Sequence, residues 1–306
     1  MINNKNIHYV NLVEQWQSEK DELMPIIEKV LSQGHYVNGI DIDDFEERVS
    51  KFCGVKYAIA LNSGTDALTF ALALSGIRRG DEVITTPNSF IATTAAIVHL
   101  GAKPVFIDVN EDQNINVDLI ETAITENTKA ILPVHLTGRM SDMGSVMKIS
   151  KKYNLTVIED SAQAIGSKFR SKLSGSYGKV GCFSTHPLKN LNACGDGGFL
   201  TTNDQKIYEK AEILRSHGLI NRDQSNQVGY VSRMDSIQAA ILNYRLTKLD
   251  YVIERRRENA QYYFNNLNSS DIMLPIEKDG EFNTYHTFVI QTEQRDKLKS
   301  YLKKNN

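Results

Sequence analysis

Residues 57–87 read YAIALNSGTDALTFALALSGIRRGDEVITTP, and their pattern decides the fold class. An apolar run, YAIALNS, passes into apolar residues at helical spacing in TDALTFALALSG and then into a second apolar run, DEVITTP. Strand, helix and strand follow one another within about 30 residues. The alternation continues to about residue 203. KPVFIDV, KAILPVHL, LTVIED, GCFST and GFLTT read as buried strands, and FIATTAAIVHLG and MGSVMKISKKYN as helices. The expectation is an α/β chain with a mainly parallel sheet flanked by helices on both faces.

Beyond residue 203 the pattern becomes helical. DQKIYEKAEILRSHG is one helix, and DSIQAAILNYRLTKLDYVIERRRENAQYYFNNL, without Pro or Gly, reads as a single long one. YHTFVIQT reads as a strand and RDKLKSYLKK as a last helix. The expected divisions are an N-terminal arm (1–34), a large α/β domain (35–245), and a long helix with a small C-terminal lobe (246–306). One strand and one helix make a thin lobe, expected to be truncated or completed by a partner.

The 306 residues are 41% hydrophobic and 24% charged with a net charge of -2, which gives no electrostatic footprint for nucleic acid or an anionic membrane. The start, MINNKNIHYVNLVEQW, lacks a signal-peptide core, and no stretch reaches the ~18 apolar residues of a membrane span. Three scattered cysteines, Cys53, Cys182 and Cys194, suit neither a disulfide framework nor a metal site. The expected compartment is the cytoplasm.

Ligands of open parallel sheets bind outside the carboxyl ends of the strands, so the residues delivered there carry the functional reading. The first strand runs into Ser63-Gly64-Thr65-Asp66. This is a helix-capping pattern, and also a phosphate cradle with a close-approaching glycine, a hydroxyl and free helix N–H groups. Phe90 follows the second strand, either in the core or flat against a planar ring. Glu159 and Asp160 close an otherwise apolar strand, which is costly unless a partner is present. Gln163 lies three residues on. The stretch FSTHPLKNLNACGDGGFLTT (183–202) places Lys189 five residues after Ser184. A phosphate cradle, a flat aromatic, a buried carboxylate and a lysine together fit pyridoxal 5′-phosphate. Its ring nitrogen needs a carboxylate, and its aldehyde needs a lysine for a Schiff base.

LNSGTDAL, GDEVITTPNSFIATTAAI, ILPVHLTGRM, VIEDSAQAIG, FSTHPLKNL…GDGGFLTT and GYVSRMDSIQAAIL occur in this order, and from about Gly34 onward the chain resembles the DegT/DnrJ/EryC1/StrS family. Its members are pyridoxal-phosphate-dependent transferases of fold type I that act mainly as aminotransferases on nucleotide-linked keto-sugars. The resemblance implies that Lys189 is the Schiff-base lysine and base, and that Asp160 partners the pyridine nitrogen. It likewise implies Gln163 near the ring hydroxyl, Phe90 stacked on the ring, and Gly64, Thr65 and Ser184 at the phosphate. It implies L-glutamate (or glutamine) as amino donor, a nucleotide-linked keto-sugar as acceptor, a homodimer with sites at the interface, and a role in amino-sugar and surface polysaccharide synthesis. KNL followed by GDGG is similar to relatives that aminate C3 of the sugar. His217 and Arg233 are candidates for donor or sugar-phosphate contacts.

Two departures stand out. Val231, in Gly229-Tyr230-Val231-Ser232-Arg233, stands where the family has a phosphate-binding asparagine. Unless Ser232 or a backbone N–H compensates, the lost hydrogen bond costs about 1.5–3 kcal/mol. Members also continue beyond Asn306 into a segment that completes the small domain. A sugar dehydratase on this scaffold carries histidine at the lysine position. Here His186 comes three residues early and Lys189 is in place, which favours transamination. A non-catalytic cofactor-binding protein is the other alternative. His135 reads as a packed, hydrogen-bonded histidine, and Arg255-Arg256-Arg257 as a solvated helix face.

Overall fold

The computed structural model describes residues 8–305; the first seven residues of the expected N-terminal arm lie outside them. In chain order come α1 (Leu12–Gln33), α2 (Ile40–Cys53), β1 (Tyr57–Leu61), α3 (Gly64–Leu74), β2 (Glu82–Thr85), α4 (Ile91–His99) and β3 (Lys103–Phe106). Next are β4 (Thr128–Ile131), α5 (Met143–Tyr153), β5 (Thr156–Asp160), two short strands β6 (Lys168–Phe169) and β7 (Lys172–Leu173), and β8 (Val180–Ser184). Then follow β9 (Gly198–Thr202), α6 (Gln205–Leu214), β10 (Leu219–Asn221), β11 (Gln224–Ser225), α7 (Ser236–Leu246), α8 (Leu249–Asn266), β12 (Glu281–Phe282) and α9 (Arg295–Lys304).

Seven strands form the central sheet in the order β1-β9-β8-β5-β4-β2-β3. From β8 to β3 the neighbours are parallel, while β9 runs antiparallel to both β1 and β8. The carboxyl ends of β1, β2, β4, β5 and β8 therefore share one edge.

Strand alternation sends side chains to two cores. Ile59 and Leu61 of β1, Val83 of β2, Ile158 of β5 and Leu200 of β9 join α3, α4 and α6 on one face. Ala58, Ala60, Phe183 and Phe199 meet α2, α7 and the start of α8 on the other. On that same face Ile84, Ile131 and Val157 pack on α5. Burial on both faces explains why β2, β5 and β9 read as continuous apolar runs.

Two elements differ from the sequence expectation. The long helix breaks between Leu246 and Leu249 without Pro or Gly. Thr247 N and Lys248 N bond three residues back, to Tyr244 O and Arg245 O. Thr247 Oγ1 also donates to Tyr244 O at 2.7 Å, the local competition with the helix ladder that threonine offers. YHTFVIQT forms no strand ladder, only an isolated bridge between Met273 and Gln291. Side chains take the carbonyls at its start instead: Arg256 donates to Tyr285 O and His286 O, and Asn190 Nδ2 to Thr284 O just before it.

This corrects the reading of the arginine triplet as a solvated face. Arg255 is exposed, but Arg256 and Arg257 are half-buried and fasten residues 283–286 to α8. Among the described residues no helix is long and apolar enough to cross a membrane.

Candidate active site

A cavity of about 390 Å³ opens at the carboxyl edge of the sheet, between the ends of β1, β5 and β8 and the starts of α3 and α4. Gly64, Thr65, Phe90, Asp160, Gln163, Ser184 and Lys189 all line it. A roomier hollow of about 700 Å³ between α1 and α7–α8 shares Leu188 and Lys189 with this cavity, but no end of a central-sheet strand lines it.

The two carboxylates at the end of β5 go to opposite faces. Glu159, fully buried, accepts from the backbone N–H groups of Gly175, Tyr177 and Gly178 at 2.7–3.0 Å and meets His135 Nε2 at 3.0 Å. Ser141 N donates to His135 Nδ1, so the imidazole proton lies on Nε2 and points at Glu159. His135 is thus a packed structural histidine, and Glu159 holds the 175–178 loop. Asp160 turns the other way. Its Oδ1 accepts from Ala162 N at 3.2 Å and its Oδ2 from Thr93 Oγ1 at 2.6 Å.

Ser63 caps α3, its hydroxyl accepting from Asp66 N at 3.1 Å. The N–H groups of Gly64 and Thr65 lie at the positive end of the helix, and both residues line the cavity. A Cβ on Gly64 would lie 2.7 Å from Ser184 Cβ, and one on Gly198 would lie 2.5 Å from Gly64 N. Both glycines let the starts of α3 and β9 close on the end of β8. Sequence reasoning gave Gly64 to ligand approach; its first duty is this packing.

Lys189 sits in a turn closed by its own N–H on His186 O, and its Nζ makes no hydrogen bond within the described residues. Burial lowers its pKa, and the nearby Asp160 charge partly opposes the shift. His186 serves the same turn, its Nδ1 accepting from Leu188 N. Gln163 Oε1 accepts from Thr137 N at 2.8 Å, which leaves the amide NH2 for the cavity. Phe90 is 70% exposed at the N-terminus of α4, which excludes the core reading.

His217 and Arg233 do not line this cavity. His217 is exposed, and the Arg233 guanidinium has a buried, unpaired Nε. Val231 is exposed, whereas Ser232 is buried with its hydroxyl on Asn62, so Ser232 is not free to replace a missing asparagine in this chain.

The structure adds residues that the sequence reading missed: Ser89, Thr93 and His286 line the same cavity. The signal for Thr93 was its polarity inside the apolar helix FIATTAAIVHL; His286 had none, because YHTF read as a strand. Burial and the charges of Lys189 and Arg256 push the His286 pKa from 6.5 down to about 3. The folded state therefore keeps this imidazole neutral while the unfolded chain protonates it below 6.5. Stability from this group is complete above the unfolded value and is lost as pH falls from 6.5 toward 3. The expected slope is up to about 1.4 kcal/mol per pH unit, measured as denaturant midpoints at pH 7 and 5. His286→Asn should remove that component; an unchanged pH dependence would contradict the assignment.

Residues 17–306 match the DegT/DnrJ/EryC1/StrS aminotransferase family over nearly the whole chain. The chain belongs to this family. It is 39% identical over 302 residues to the pleiotropic regulatory protein of Geobacillus stearothermophilus, covering 97% of this chain and 81% of that relative. It is 42% identical over 287 residues to the dTDP-3-amino-3,6-dideoxy-α-D-galactopyranose transaminase of Aneurinibacillus thermoaerophilus, covering 93% and 79%. The X-ray structure of S. venezuelae DesV superposes with a TM-score of 0.96 at 35% identity, covering 99% of this chain and 82% of DesV. The family assignment makes the chain an aminotransferase of the pyridoxal-phosphate fold, with the α/β architecture described above.

Proposed function

We propose that this aminotransferase moves the amino group of L-glutamate (or glutamine) onto a nucleotide-linked keto-sugar, with pyridoxal 5′-phosphate as cofactor, for amino-sugar and polysaccharide synthesis. The observation that carries the reading is the convergence of Lys189, Asp160, Gln163 and the capped start of α3 in one cavity. The donor set fits a phosphorylated pyridinium. The Gly64 and Thr65 N–H groups with the Thr65 and Ser184 hydroxyls suit the phosphate. Asp160 suits the ring nitrogen, the Gln163 amide the ring hydroxyl, and Phe90 a ring face. When bound, the cofactor supplies an aldehyde that carries the amino group and a ring that withdraws electrons.

Lys189 would hold that aldehyde, and its neutral amine would be the base that takes the proton from the donor Cα. Its lowered pKa raises the fraction of neutral amine at working pH. Gln163, held at Oε1 by Thr137 N, keeps its donor aimed inward.

A homodimer is part of the proposal. Val228 at 95% exposure, with Ile220, Tyr230 and Val231 also exposed, leaves an apolar loop uncovered in one chain. A molar mass of two chains by light scattering checks this.

The relative's regulatory name raises a second reading, a cofactor-binding protein without turnover. Lys189 with its lowered pKa weighs against it. Incubation with cofactor, L-glutamate and UDP- or dTDP-linked keto-sugars decides between them. The proposal requires the donor's keto acid, 2-oxoglutarate from L-glutamate or 2-oxoglutaramate from glutamine, formed in step with an amino-sugar. Cofactor binding with no keto acid released from L-glutamate or glutamine supports the second reading and sinks the first.

A further inference from the structure

Thr93 stands on the first turn of α4 and is 1% exposed. A helical threonine ordinarily returns its hydroxyl to a carbonyl on the preceding turn. Thr69 of α3 does so, donating to Thr65 O at 3.0 Å. Thr93 instead reaches across to β5 and meets Asp160 Oδ2 at 2.6 Å. Behind it, Ser89 Oγ lies 2.6 Å from Thr93 Oγ1. Thr93 Oγ1 donates to Asp160 Oδ2. Thr93 has one hydroxyl proton, so Ser89 must donate to Thr93. The two hydroxyls form a relay that points one way, toward the carboxylate.

The relay also joins two parts of the cavity. Ser89 and Thr93 flank Phe90, the exposed aromatic at the N-terminus of α4. Among the described residues, the other hydrogen bond to the Asp160 carboxylate comes from Ala162 N, at 3.2 Å on Oδ1. Rotation of the Asp160 side chain away from the cavity would break the short bond to Thr93 and leave a buried hydroxyl pair without its acceptor.

We infer that Thr93, backed by Ser89, is a positioning residue for the transamination: it aims the Asp160 carboxylate at the cofactor's ring nitrogen and ties it to the turn that presents Phe90. This rests on the reading given under Proposed function. It assigns to Thr93 and Ser89 no contact with substrate.

The test uses the apo-protein and its affinity for pyridoxal 5′-phosphate, read by fluorescence quenching, with thermal midpoints taken with and without cofactor. Thr93→Val should weaken affinity by about tenfold, as expected for a lost hydrogen bond to a charged group. The rate of the L-glutamate half-reaction should fall while the concentration for half-maximal rate stays within about twofold. Thr93→Ser should restore affinity to within about threefold of wild type, and Ser89→Ala should fall between. A merely structural threonine predicts a different outcome: equal loss of midpoint in apo- and holo-protein, with affinity unchanged. That result, or Thr93→Ser as impaired as Thr93→Val, overturns the inference. If Thr93→Val does not fold, Ser89→Ala decides it alone: weakened affinity supports the relay and wild-type affinity refutes it. Failure of the wild-type protein to bind the cofactor would instead refute the function proposed above.

Discussion

Lys189→Ala should lower L-glutamate-driven turnover by about 100- to 10,000-fold from loss of the base alone, and further from loss of the covalent anchor. Lys189 Nζ makes no hydrogen bond within the described residues, so the substitution removes no partner and should leave the thermal midpoint of the apo-protein nearly unchanged. Lys189→Arg should be as inactive as alanine, because a guanidinium stays charged at every working pH and cannot accept a proton. In the wild-type protein, activity should rise with pH as Lys189 loses its proton. Burial moves that rise below the ordinary lysine value of 10.5, and the rise should be absent from both variants. Retention of a tenth or more of the wild-type rate in Lys189→Ala would mean that another group serves as base.

Asp160→Asn should produce the second-largest loss. The amide keeps the shape and can still accept from Thr93, but it brings no negative charge to a ring that must stay protonated. Removing one preorganised electrostatic partner typically costs 100- to 1,000-fold in rate, and a loss of about 100-fold is expected here. Glu159→Gln is the control. Glu159 accepts three backbone N–H bonds and one from His135, all away from the cavity. A glutamine there turns an NH2 toward groups that are themselves donors, so stability should fall by about 1–3 kcal/mol while the rate per folded molecule is kept. Steady-state kinetics and chemical denaturation of both variants separate the roles. Loss of rate in Glu159→Gln without loss of stability would show that the two carboxylates have been assigned the wrong way round.

The same pair shows how far the sequence could be read. VIED announced two carboxylates on an apolar strand, and strand periodicity alone puts them on opposite faces. Which face held the site depended on the 175–178 loop and on Thr93, both distant in sequence. The strand–helix–strand alternation of 57–87 was legible because local periodicity carries it, and so was the cap at Ser63; the pairing was not, since β1 joins antiparallel β9 and four strands separate it from β2. The break after Leu246 was not, since Thr247 competes with the helix by a side-chain bond that propensity does not encode. YHTFVIQT is rich in strand-forming residues, but Arg256 claims the carbonyls of Tyr285 and His286, and Asn190 that of Thr284 just before them. That capture is also what brings His286 to the cavity. The arginine triplet misled for the same reason: its partners on residues 283–286 lie far along the chain.

The most direct measurement is an absorbance spectrum of the purified protein with cofactor, recorded before and after L-glutamate, with Lys189→Ala alongside. The predicted result is a visible band from cofactor joined to Lys189, lost from the variant, which in the wild type gives way to the absorption of the aminated cofactor when L-glutamate is added. No such band in the wild-type protein, or the same band in Lys189→Ala, would contradict the account of this site.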